Sequence, residues 1–184
     1  MRTFGMIALA AALLAGAGPA QAQPDPIVTR EQGYRLRLMG DGLAAGQTGL
    51  HSYPVFLFGI PRAEAMQRVD GLVGPVSATG TGRGCGARPL AFARFGTLTL
   101  WFRGDHWVGW SLAGPRAARP IESEWGTGIG TLRGEIADAD ADEPVFRRTA
   151  RGIQFHADGM DGLLSGPGPR ARVTALWSGE TCRR

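Results

Sequence analysis

The chain has 184 residues, 43% of them hydrophobic, and a formal net charge of +4, which suffices for one domain or two small modules. Glycine (29) and proline (12) are abundant, but five tryptophans and the lack of any polar tract exclude a disordered chain and point to an ordered, loop-rich one. All 20 basic residues are arginine, interspersed with 16 acidic residues, so Arg147-Arg148, Arg170 with Arg172, and Arg183-Arg184 fall short of a nucleic-acid stripe.

Residues 1–22 have the three parts of a secretory signal peptide. Arg2 is the positive start, residues 4–17 are an unbroken apolar and glycine run, and Ala20-Gln21-Ala22 is a small-x-small cleavage site behind Gly18-Pro19. The run is shorter than the roughly 20 residues that cross a bilayer, and no later stretch is long enough either. No cysteine follows the cleavage site to carry a lipid. These features predict a mature chain that starts at Gln23, has no membrane span and works in the periplasm or after secretion.

Cys85 and Cys182 are the only two cysteines. In an oxidising compartment their pairing is the default, with free thiols or an intermolecular bridge as the alternative. The intramolecular bridge closes a loop of roughly 100 residues, for which chain entropy gives about 4–5 kcal/mol.

In chain order, residues 23–29 form a polar, proline-containing leader. Tyr34, Leu36 and Leu38 alternate with Arg35 and Arg37, the period of a half-buried strand. Residues 40–49, rich in glycine, read as a loop, and residues 55–58 as a short strand. Gly59-Ile60-Pro61 opens a helix with Ala63, Met66, Val69 and Leu72 at helical spacing, and Gly71, Gly74 and Pro75 stop it. Residues 79–86 read as a glycine-rich loop that holds Cys85.

The clearest hairpin runs over residues 97–112, turning at Arg103-Gly104-Asp105-His106, where Gly104 suits a type II′ turn. Even pairing sets Phe102 against Trp107 and Trp101 against Val108. One face then carries Leu98, Leu100, Phe102 and Trp107, and the other Trp101, Val108, Trp110 and Leu112. A hairpin apolar on both sides needs a cover on each.

Residues 114–120 read as a linker, after which the pattern restarts. Gly130-Thr131-Leu132-Arg133-Gly134-Glu135 echoes Gly59-Ile60-Pro61-Arg62-Ala63-Glu64 at a helix start, Pro144-Val145 echoes Pro75-Val76, and Trp177-Ser178 echoes Trp110-Ser111. The expected architecture is α+β: two related small modules, residues 23–115 and a shorter 116–184, each a short helix packed on an antiparallel sheet.

No catalytic or cofactor motif survives a check of its spacing. The glycines at 80, 82, 84 and 86, and at 126, 128 and 130, do not match G-x-G-x-x-G and lack a P-loop ending, so no nucleotide site is expected. Asp138, Asp140 and Asp142 begin like a calcium loop, but Glu143 and Thr149 stand where its Gly and Glu belong. His51, His106 and His156 lack H-x-x-x-H spacing, and Ser111 and Ser165 lack the flanking glycines of a nucleophile elbow. Arg103-Gly104-Asp105 is explained by its turn. Neither a metal nor a cofactor is expected. The residues left for recognition are Trp101, Trp107 and Trp110, since tryptophan is enriched at binding hot spots and is also an ordinary core residue.

The repeated block (Gly59, Arg62 and Glu64, then Gly130, Arg133 and Glu135) resembles two kinds of small exported modules. These are the outer-membrane-assembly lipoproteins of the SmpA/OmlA type and the tandem-repeat β-lactamase inhibitory protein. The remainder of the chain is similar to exported proteobacterial proteins. The resemblance implies a non-catalytic protein-binding or envelope-associated protein, with another envelope or secreted protein as its partner. The lipid-bearing cysteine of the lipoproteins is absent. The competing expectation is a small hydrolase or metal-dependent enzyme assembled from distant residues such as His51, His106 or His156.

Overall fold

The computed structural model describes residues 27–47, 54–82, 85, 89–116, 120–139 and 143–182. A 3-10 turn at Arg30–Gln32 leads into β1 (Arg35–Met39), β2 (Gly42–Gly46) and β3 (Val55–Leu57). Helix α1 (Arg62–Val73) follows, then β4 (Ala78–Gly82), β5 (Leu90–Phe95), β6 (Leu98–Arg103), β7 (His106–Ala113) and β8 (Glu122–Ser123). The chain continues with α2 (Arg133–Ala139), β9 (Val145–Thr149), β10 (Gly152–Ala157), β11 (Met160–Leu164) and β12 (Val173–Gly179).

These strands form two sheets. Four are ordered β3-β2-β1-β8 and eight are ordered β4-β5-β6-β7-β12-β11-β10-β9. Every neighbour is antiparallel except β8, which runs parallel to β1.

The expected α+β pair of modules is overturned. The described chain is mostly β, α1 is its one substantial helix, and α2 has seven residues. Strands from both halves share one sheet, joined through β7 and β12. A further crossing is made by β8, which lies beyond residue 116 yet pairs with β1. The order of the large sheet is nonetheless symmetric: each half supplies a helix and then four consecutive strands, and the two last strands meet at the centre.

One core lies between the two sheets and α1. From the small sheet come Leu36, Leu38, Leu43 and Phe56, and from α1 come Ala65, Val69 and Leu72. The large sheet supplies Leu98, Leu100, Phe102, Trp107, Trp110, Phe155 and Leu176. Pro61 stands just before α1 and Gly74 ends it at φ 99, a conformation glycine adopts without strain. Arg68, on the inner side of α1, is 9% exposed and donates twice to Glu64 one turn earlier, at 3.0 and 2.8 Å.

β2 occupies part of what the sequence reads as a loop. Its Gly-Leu-Ala-Ala-Gly has low strand propensity, but all five residues are buried. A Cβ on Gly42 would fall 2.2 Å from the carbonyl oxygen of Phe56, so β3 can pair there only beside a glycine. Likewise β4 is a strand at the sheet edge where a glycine-rich loop is expected. Its backbone pairs in full with β5.

The central hairpin differs in register from even pairing. Phe102 faces Trp107 as expected, but Trp101 faces Gly109, so Val108 is an extra residue in β7. This bulge turns Trp110 and Leu112 to the side of Leu100 and Leu98. The inner face thereby collects the bulky residues of both arms, and the other face keeps Thr99, Trp101, Gly109 and Ser111.

Candidate functional site

Trp107 and Trp110 are 0% exposed and lie inside the core. Trp107 Nε1 donates to the Gly109 carbonyl at 2.8 Å and Trp110 Nε1 to the Met39 carbonyl at 3.0 Å. Phe58 packs edge-on to Trp107 with centroids 4.9 Å apart. Both indoles are thus enclosed and hydrogen-bonded, the arrangement of core tryptophans. Of the three expected recognition residues only Trp101 lies on the opposite face.

That opposite face of the eight-stranded sheet carries a continuous cross-strand row. Arg94, Thr99, Ser111, Trp177, Asp161 and His156 stand in register on β5, β6, β7, β12, β11 and β10. Trp177 Nε1 donates to Asp161 Oδ2 at 3.0 Å, and Asp161 Oδ1 holds His156 Nδ1 at 3.0 Å. One row further along, Trp101 Nε1 donates to Ser111 Oγ at 2.9 Å. Phe92 lies 5.8 Å from Trp101, and the Arg94 guanidinium sits over the Phe92 ring at 5.7 Å. The indole heads are all engaged, so the aromatic surface is held in one arrangement. Arg94, Arg147 and His156 are exposed around it.

Cys85 and Cys182 are bonded, with Cα atoms 4.4 Å apart across a separation of 97 residues. The bridge packs on this same face. A Cβ placed on Gly82 would lie 2.5 Å from Cys182 Sγ, 2.9 Å from Cys85 Sγ and 2.8 Å from Trp101, so glycine leaves the space that the disulfide and the indole fill. Trp101 is accordingly 9% exposed, and Trp177, lying against Asp161, 7%. At the hairpin turn, Arg103 pairs with Glu180 just past β12. The hydrogen bond to that carboxylate raises the Arg103 pKa above its usual value. The arginine of the Arg-Gly-Asp tripeptide is therefore occupied within the chain.

Among the described residues no three His, Cys, Asp or Glu side chains gather where a metal could sit. His51, residues 1–22 and residues 140–142 of the Asp-rich stretch lie outside the described residues. His106 begins β7 and His156 is on β10, three strand spacings away, or about 14 Å across the sheet. Ser111, in the row with His156, is equally far from it and accepts the Trp101 indole. Ser165 Oγ accepts the Arg172 backbone N–H. The structure therefore brings Asp161 to His156 but sets no serine hydroxyl of this row beside it.

The disulfide follows from the cysteine count, whereas the cross-strand row of Arg94, Asp161 and Trp177 on the face of Trp101 has no local signal in the sequence. Their proximity depends on β7 meeting β12, a pairing of strands 60 residues apart that no local pattern announces. No helix among the described residues is long and apolar enough to cross a membrane. Compared with known proteins, the chain matches no family model, no curated protein and no solved structure.

Proposed function

We propose that the mature chain is an exported, non-catalytic binding protein of the periplasm or extracellular space. Its recognition surface is the open face of the eight-stranded sheet, and its partner is another envelope or secreted protein. The observation that carries this reading is the row from Arg94 to His156. On this face Arg94 flanks the Phe92–Trp101 pair and Asp161 holds Trp177, with each indole N–H already satisfied. Pre-set side chains lose little entropy on association, the general basis of preorganised recognition. The exposed Arg94 and Arg147 suit an acidic partner surface. The signal-peptide pattern at residues 1–22 and the resemblance to exported modules support the compartment. The reading calls for no cofactor, nucleotide or nucleic acid.

The test is capture from envelope extract with tagged residues 23–184, repeated with Arg94→Glu and His156→Ala. A partner held by the wild-type chain and released by both variants supports the surface. A partner held equally by all three places recognition elsewhere. A hydrolase built on His156 is the second reading, favoured by the Asp161 carboxylate that fixes its ring. Esterase activity abolished in His156→Ala would establish it.

A further inference from the structure

A second, separate feature lies at the end of the core. A cavity of about 420 Å³ opens between the 3-10 turn, the start of β1, the last turn of α1, the β5–β6 turn and the segment before β8. Its floor is apolar: Leu36, Leu72 and Phe95 are 4%, 5% and 4% exposed, and Ile121 is partly buried against the same core. Arg30 and Arg35, both exposed, stand at its rim. Neither guanidinium has an ion pair or side-chain hydrogen bond among the described residues, whereas Arg68, Arg103 and Arg116 each face a carboxylate.

An apolar floor with a few convergent polar groups at the mouth is the usual composition of a small-molecule site, and the volume falls in its range. The two ends ask for different chemistry. Hydrocarbon gains from entering the floor in proportion to the area it hides from water. Two guanidiniums with no carboxylate partner among the described residues favour a carboxylate, which their planar donors bind in a fork, and repel a cation. A purely apolar ligand leaves the guanidiniums unused, and a small polar anion leaves the floor unfilled.

We propose that this cavity binds an amphipathic monocarboxylate, a medium-chain acyl acid. Its tail lies on Leu36, Leu72, Phe95 and Ile121, and its carboxylate lies between Arg30 and Arg35. The site is independent of the sheet face, so a failure of either leaves the other standing.

The experiment is calorimetric titration of residues 23–184 with hexanoate, octanoate and decanoate, with decanol and decyltrimethylammonium alongside. Binding of decanoate should be saturable, and affinity should rise about fourfold per added methylene until the floor is full. Arg30→Gln/Arg35→Gln should weaken it tenfold or more at unchanged melting temperature, and the amide NMR shifts should cluster at Tyr34, Gly96 and Ile121. Any one of four results overturns the proposal. These are no saturable binding of decanoate at millimolar concentration, equal binding of decanol or of the cationic amphiphile, full affinity in the double variant, or shifts confined to the open sheet face.

Discussion

Trp110 and Trp177 sit on neighbouring central strands and face opposite sides of the sheet. Trp110 pairs with Ser178, and Trp177 with Ser111. The two Trp-Ser dipeptides are thus out of phase by one residue, so the same two letters serve the core in β7 and the open face in β12. Trp110 reaches across the core to the Met39 carbonyl, and Trp177 reaches along the surface to Asp161.

If Trp107 is a packing residue, Trp107→Ala should cost about 3–5 kcal/mol, the range for emptying an aromatic site. Urea unfolding measures this directly. A loss below about 1 kcal/mol would place the indole outside the core.

Opening the disulfide should destabilise the chain by up to about 4–5 kcal/mol, because the unfolded chain regains the freedom of a loop of nearly 100 residues. Melting with and without a dithiol reductant gives the difference. Non-reduced proteolysis and mass spectrometry should yield one linked Cys85–Cys182 peptide from wild type and none from Cys85→Ser.

Gly82→Val should hinder formation of that bridge, since its Cβ alone meets both sulfurs and the Trp101 ring within 3 Å. Thiol titration of the unreduced protein should then find free cysteines in the variant and none in wild type.

Gly162→Ala tests the second half of the sheet in the same way. The Phe155 ring lies over Gly162 so closely that an added Cβ falls 2.1 Å from it. Overpacking of this kind costs roughly 1–3 kcal/mol, read from denaturant midpoints.

Much of the local structure was legible. The alternation at residues 34–39, the Pro61 start and Gly74 stop of α1, and the arms of β6 and β7 follow from period and turn chemistry. β2 and β4 were not, because alanine and glycine carry little strand signal and are there for close approach. The Val108 bulge was also hidden, since an even hairpin and a bulged one share the same letters. That one residue decides whether Trp110 faces core or solvent. The predicted helix-on-sheet modules failed for a tertiary reason: β7 and β12 complete each other, so neither half keeps a sheet of its own. At the site, Trp101 was visible as a residue type, but Asp161 and His156 join it only through strand order.

The most direct test of the account is the affinity of the captured partner for three forms of residues 23–184: wild type, Arg94→Glu/Arg147→Glu, and a control, Glu124→Gln, on a loop outside the large sheet. The double charge reversal on the open face should weaken binding tenfold or more at unchanged melting temperature, while the control binds as wild type. Equal affinity across all three would contradict it.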